Sequence, residues 1–218
     1  MTVHLEAGTE SRPRNTSGLA GWIARWIAPG VCLLGTALAA AVVLVMGYGL
    51  NVADGEAATR ALAEEAGRWQ AASMLGLFAA AALGLAAVRL GRRIGGITGA
   101  VATAAGAAVA FLLGAYYASF AAGAVVATFS LDNPGPGLGE ATLVVANMVD
   151  LTRYAPTLLL LVAALVARRS LPKPLTISAA VIVVLIALPF TTWIAAILAP
   201  MWLGVAGAVG GDGSAGRR

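Results

Sequence analysis

The chain has 218 residues, of which 60% are apolar and 11% charged, and its formal net charge is +4. Soluble domains carry charge on about a quarter of their residues, so this composition leaves too little polar surface to cover a soluble core. The composition excludes a soluble domain and predicts an all-α polytopic membrane helix bundle. The basic residues belong to no nucleic-acid-binding motif, so nucleic acid is not an expected partner, whereas the lipid bilayer is.

Long uncharged runs predict five transmembrane helices, each near or above the roughly 20 residues needed to cross about 30 Å of hydrocarbon. The predicted spans cover about residues 27–50, 70–90, 94–128, 141–167 and 175–203. We interpret residues 1–25 as a disordered cytoplasmic tail, residues 26–203 as a single transmembrane domain, and residues 204–218 as a flexible outer tail. Between the first two spans, Glu56 to Trp69 contains good helix formers and predicts a short surface helix.

Two of the runs allow more than one structure. The run 94–128 is longer than one perpendicular crossing requires at about 1.5 Å per residue, so it is either straight and tilted or partly re-entrant. The last run contains Pro189 and Pro200, and each proline removes a backbone donor. A kink is therefore expected near Pro189.

The arginines predict an orientation. Basic residues beside the spans fall on one side of a five-span arrangement: Arg12, Arg14, Arg25, Arg89, Arg92, Arg93, Arg168, Arg169 and Lys173. By the positive-inside rule this side is cytoplasmic, which puts the N-terminus inside and the C-terminus outside, with Arg217 and Arg218 as exceptions. The preference for arginine over lysine, with abundant alanine and glycine, is typical of a GC-rich bacterial genome and indicates a bacterial cytoplasmic membrane.

The fourth predicted span carries ionisable residues within its apolar length. Asn147, Asp150 and Tyr154 lie at positions i, i+3 and i+7, and Arg153 flanks them. One interpretation is a polar site that faces the bundle interior and binds an ion, a proton or a partner helix. The alternative is a structural pair of Asp150 and Arg153 near the outer interface, with the arginine reaching towards water. Asp150 lies only about one turn inside the predicted boundary, which favours the structural pair.

Small residues recur along the third predicted span and form a possible helix-packing face: Gly95, Gly99, Gly106, Ala110, Gly114 and Ala118. Such rows let helix backbones approach closely, either within the chain or in an oligomer or partner complex. Because alanine and glycine are so abundant here, packing within the monomer is favoured, with Gly76, Ala80 and Gly84 as possible mates. Nearby, Tyr116 and Tyr117 predict either a pocket or an interfacial aromatic belt.

The predicted spans contain no set of residues with recognisable chemistry. The only histidine, His4, lies in the N-terminal tail, and the only cysteine, Cys32, lies in an apolar run. We therefore expect no enzyme activity, no cofactor and no metal site. The sequence favours an accessory or scaffold subunit that packs against itself or a membrane partner. The alternative is a small permease or channel with its polar site on the fourth span.

Overall fold

The computed structural model describes residues 27–46, 55–129, 137–188 and 190–209, and within these ranges the chain forms helices and no strands. The helices are α1 (Ala28–Met46), α2 (Gly55–Glu64), α3 (Ala66–Ile94), α4 (Gly96–Phe129), α5 (Gly137–Thr152), α6 (Tyr154–Val166), α7 (Lys173–Ala187) and α8 (Thr192–Val209). The helices α3, α4, α8 and the combined α5–α6 are long and apolar enough to cross a membrane, and α1 and α7 are shorter apolar helices. The fold is that of an integral membrane helix bundle. The predicted tail 1–25 lies outside the described residues.

The helix pair α3 and α4 forms the most extensive interface of the bundle. The two helices are joined at Gly95 and Gly96, whose φ angles of +71° and +59° lie in the left-handed region that glycine adopts without strain. Further along, Gly106 packs against Ala87, so the two backbones approach closely. This tight hairpin explains why the longest uncharged run begins directly after the Arg92 and Arg93 pair.

The run predicted to be straight or partly re-entrant is a single continuous helix. Helix α4 has 34 residues, which at about 1.5 Å per residue makes it about 51 Å long. Its C-terminal part packs against α5, where Gly123 meets Thr142. The predicted surface helix over Glu56 to Trp69 is present only in part, because α2 ends at Glu64 and residues from Ala66 belong to α3. Helix α2 contributes Thr59, whose hydroxyl accepts a hydrogen bond of 2.7 Å from the Gly139 amide.

The fourth predicted span is interrupted at Arg153, which separates α5 from α6. The amide of Arg153 is shared between the carbonyls of Val149 and Asp150, both at 3.2 Å. Pro156 has no N–H to donate to the preceding turn, which is the expected cause of a loosened helix at this place.

The prediction of one kinked span over residues 175–203 was wrong, because the chain reverses there. Trp202 Nε1 donates a hydrogen bond of 3.0 Å to the Leu175 carbonyl, although a continuous helix would separate these residues by about 40 Å. Helices α7 and α8 therefore pack side by side as an antiparallel hairpin, and the reversal falls at residues 188–191. Prolines remove the local hydrogen bonds in either arrangement, and only the packing decides between a kink and a reversal.

The reversal changes where the chain finishes. The guanidinium of Arg93 donates to the carbonyls of Ser170, at 2.8 Å, and Val209, at 2.6 Å. The end of α8 thus lies beside the ends of α3 and α6. We call this the arginine end of the bundle, defined by Arg92, Arg93, Arg168, Arg169 and Lys173. The predicted outer tail from residue 204 is also corrected, since α8 continues to Val209 and buries Gly204 and Gly207.

Helix α1 completes the bundle by packing on α3 and α8. Gly35 lies against Ala82, and Gly204 of α8 lies against Thr36. These contacts place the start of α1 at the arginine end as well. Glycines let the helices approach closely here, and we call the half of the bundle next to the arginine end the packed half.

Candidate functional site

A cavity of about 280 Å³ lies between α1, α4, the α5–α6 break and α8. Its polar wall carries an acid, a base and hydroxyl groups, namely Asp150, Arg153, Tyr116, Tyr117, Tyr154 and Thr192. Its other wall is apolar and includes Ala39, Val42, Leu113, Ala196, Ile197, Pro200 and Met201. Asp150 precedes Val166, the last residue of α6, by about 24 Å of helix, so the polar wall lies most of a hydrocarbon thickness away from the arginine end. We call this part of the bundle the cavity half.

Asp150 and Arg153 form an ion pair on the cavity wall. Arg153 Nη2 lies 2.5 Å from Asp150 Oδ1, as the i, i+3 spacing on a helix allows. Arg153 is only 7% exposed, so its guanidinium is turned into the bundle. A charged side chain in that position is costly unless it is paired, and here the pair borders a cavity.

Tyr154 connects this wall to the start of α8. Its hydroxyl donates a hydrogen bond of 3.3 Å to the Thr192 carbonyl, 38 residues away along the chain. The contact joins the first turn of α6 to the residues that follow the α7–α8 reversal. The site is therefore assembled from distant parts of the sequence, and it depends on that reversal.

Two adjacent tyrosines of α4 form the third side of the polar wall. Tyr117 is 3% exposed and its ring packs over Gly76 of α3, where a Cβ atom would collide with it. The rings of Tyr116 and Tyr117 meet edge to face with centroids 5.5 Å apart. Within the described residues neither hydroxyl makes a hydrogen bond, which leaves both groups able to bind a molecule in the cavity.

The structure brings together three of the four residues predicted for the polar site. Asp150, Arg153 and Tyr154 line the cavity, whereas Asn147 is exposed and does not. The buried face of α5 contains Ala146, which is 1% exposed, and the next residue lies about 100° around a helix with 3.6 residues per turn. Asn147 is thereby directed away from the bundle interior.

The predicted helix-packing residues lie mainly in contacts within the chain. Gly99 packs against the backbone of Gly91, Gly106 against Ala87, and Gly114 against Ala80. Ala110 is also buried, whereas Ala118 is exposed and Gly95 belongs to the α3–α4 turn. Gly84, a predicted mate, has no atom within 4 Å of the position a Cβ would take.

The sequence did not reveal two features of the bundle. Thr192 joins the polar wall only because α8 folds back. The sequence feature that could have indicated this is the pair of threonines shortly after Pro189 in an otherwise apolar run. Arg89, interpreted as a topogenic residue, is 8% exposed and donates a hydrogen bond of 2.9 Å to the Gly207 carbonyl. An arginine at the end of an apolar run gives no indication that it will pack inwards.

The chemistry of the wall is that of binding. In the described part of the chain no group of three His, Cys, Asp or Glu side chains could hold a metal ion. The wall offers a carboxylate, a guanidinium and hydroxyl groups, which recognise polar groups by hydrogen bonds. No family model, curated protein or solved structure matches this chain, so the geometry carries the functional argument.

Proposed function

We propose that this integral membrane protein is a small permease that binds a polar solute in the cavity. The observation that supports this is the ion pair of Asp150 and Arg153, which borders a half-open cavity between the helices while Arg153 is 7% exposed. An ion pair that only needed water would lie at the surface, whereas ionisable groups lining an internal cavity mark solute pathways. The proposed protein is non-catalytic, because moving a solute requires binding and release but no covalent step.

Close packing of the packed half indicates that the cavity does not extend to the arginine end. A Cβ atom added at Gly204 would lie 3.0 Å from the carbonyl oxygen of Cys32, and Gly207 lies against the backbone of Ala86. A solute in the cavity meets close-packed backbone in that direction. Transport would require α8 to move away from α1 and α3.

The proposal includes six crossings in place of five. The short apolar helices α1 and α7 would cross with α3, α4, α5–α6 and α8, and both chain termini would lie at the arginine end. All basic clusters, Arg217 and Arg218 included, would then lie on the cytoplasmic side of a bacterial membrane. The cavity half would face the outside.

Reporter fusions test this topology. A reporter that is active only in the cytoplasm, joined after Arg218, should be as active as the same reporter joined before Met1. A reporter inserted in the segment 131–136 is the control and should be inactive. Activity confined to an exported reporter after Arg218 would restore the five-span arrangement and reject six crossings.

Cysteine labelling tests the cavity itself. With Cys32 replaced by alanine, Ala196→Cys puts a thiol on the cavity wall, and Leu198→Cys puts one on a lipid-facing side that is 36% exposed. Thiols react as thiolates, which form in water and not in lipid. A membrane-impermeant thiol reagent added outside should therefore modify Ala196→Cys at least tenfold faster than Leu198→Cys. Equal, slow modification of both would reject an open cavity and with it the permease.

A second candidate is the accessory or scaffold subunit. An apolar groove of about 470 Å³ runs along α3 and α4, and its lining includes Gly84, Ala107 and Phe111, of which Phe111 is 75% exposed. Grooves floored by small residues suit a partner helix in lipid. Purification of the tagged protein in mild detergent tests this candidate. A second membrane protein recovered in constant ratio supports it, and loss of that protein in Gly84→Leu, but not in Gly30→Leu, would assign the groove.

A further inference from the structure

We infer that the solute is a small zwitterion with an apolar portion, of the α-amino acid class. This inference rests on the proposed permease and deepens it by assigning the chemistry of the ligand. Three features of the cavity lead to it: the net charge of its wall, the unused bonding positions of the ion pair, and the size and polarity of the remaining space.

The wall carries one negative and one positive charge among the described lining residues, Asp150 and Arg153. Its net charge is zero, so a ligand with a net charge would bring an uncompensated charge against a partly buried wall, which is costly. A neutral ligand avoids this cost. A ligand whose two opposite charges are close together gains from both partners.

The ion pair leaves positions for such a ligand. Its bond joins Arg153 Nη2 to Asp150 Oδ1, and within the described residues neither side chain makes any other hydrogen bond. The remaining N–H groups of the guanidinium can donate to a carboxylate, and Asp150 Oδ2 can accept from an ammonium. The hydroxyl of Tyr117, whose side chain is buried and lines the cavity, provides a further donor for the carboxylate.

The volume and the apolar wall limit the rest of the ligand. A cavity of about 280 Å³ would hold about nine water molecules at ~30 Å³ each, a space that suits a molecule of similar heavy-atom count. From Thr192, at the polar wall, to Pro200 the α8 backbone rises about 12 Å. Val42, Leu113 and Ile197 line this deeper part, where an aliphatic or aromatic side chain would lie.

Matched probes test the charge requirement. The purified protein in detergent is incubated with each neutral α-amino acid from alanine to phenylalanine, and binding is measured by equilibrium dialysis. Leucine is compared with 4-methylpentanoate, which lacks the amine, and with 3-methylbutylamine, which lacks the carboxylate. We expect at least one amino acid to bind and to bind at least tenfold more tightly than both of its single-charge analogues.

Two variants should change the selectivity in opposite directions. Asp150→Asn leaves a net positive wall, so the carboxylate analogue should bind more tightly than the amino acid. Arg153→Gln leaves a net negative wall, so the amine analogue should be preferred. Tyr117→Phe should weaken amino acid binding about tenfold without changing the order of preference, and Asn147→Ala, outside the cavity, is the matched control.

The outcomes separate this inference from the permease. If Ala196→Cys is accessible to water but no zwitterion binds, or a single-charge analogue binds best to the unaltered protein, the ligand class is wrong and the permease stands. If Ala196→Cys is as unreactive as Leu198→Cys, the permease itself fails. Loss of all binding in Asp150→Asn and Arg153→Gln, in variants that remain folded at the assay temperature and without reversed selectivity, would overturn the assigned role of the ion pair.

Discussion

The packed half and the cavity half of the bundle share helices α1 and α8 but hold them by different means. In the packed half, glycines let α1, α3 and α8 touch backbone to backbone, and Arg89 donates to the Gly207 carbonyl. In the cavity half, tyrosines and an ion pair line a cavity of about 280 Å³ between the helices. The difference shows that side-chain size controls helix separation in a membrane, where packing and not hydrophobicity holds helices together.

The largest expected effect comes from adding bulk to the packed half. Gly207→Val should lower the free energy of unfolding by about 3 kcal/mol or more, because its Cβ would meet the backbone of Ala86. Gly84→Val is the matched control and should be near neutral, since nothing lies within 4 Å of that position. The measurement is unfolding by increasing denaturing detergent. A similar loss in both variants would show that the loss does not come from the close contact between Gly207 and Ala86.

Breaking the ion pair is expected to have the next largest effect. Asp150→Asn leaves Arg153 inside the bundle without its charged partner. For a fully buried pair, such a change lowers the free energy of unfolding by ~3–5 kcal/mol. The Asp150 side chain is 28% exposed, so we expect about 1–3 kcal/mol. Adding Arg153→Gln should recover part of the loss, measured in the same detergent titration. Full stability of Asp150→Asn would show that the pair contributes to binding alone.

A smaller effect is expected in the α7–α8 hairpin. Trp202→Phe keeps an aromatic ring but removes the donor to the Leu175 carbonyl, which costs ~0.5–1.5 kcal/mol for a typical hydrogen bond. We expect the low end of that range, because Ser178 also donates to this carbonyl at 3.1 Å. Thermal unfolding in mild detergent measures the change, with Leu198→Ala as a lipid-facing control. An unchanged midpoint would indicate that other contacts of the hairpin suffice.

The smallest effect on stability is expected at the top of the cavity. Tyr154→Phe removes only the long bond of 3.3 Å to the Thr192 carbonyl, so the loss should stay below about 0.5 kcal/mol. Labelling of Ala196→Cys in the same background should become faster, because α6 and α8 lose a tie across the mouth of the cavity. A large loss of stability would mean that contacts in the cavity half contribute as much to stability as those in the packed half.

Part of the site could be predicted from local sequence. The spacing of Asp150 and Arg153 predicted a pair, and the pair is present. The spacing did not tell whether Arg153 reaches towards the interface or turns inwards, because the direction depends on the break at Arg153 and on the helices opposite. The tyrosines of α4 were compatible with a pocket or a belt for the same reason.

The sequence by itself determined that this is an all-helical membrane protein, since every backbone polar group in lipid must be satisfied within a helix and the apolar runs are long enough to cross. It also determined where the arginines interrupt those runs. Only the tertiary structure decided that residues 175–203 form two helices, which end of the bundle Val209 reaches, and that a cavity surrounds the ion pair. Hydropathy is a sum over neighbours along the chain, whereas a reversal such as the one that joins Trp202 to Leu175 is set by contacts between residues distant in sequence.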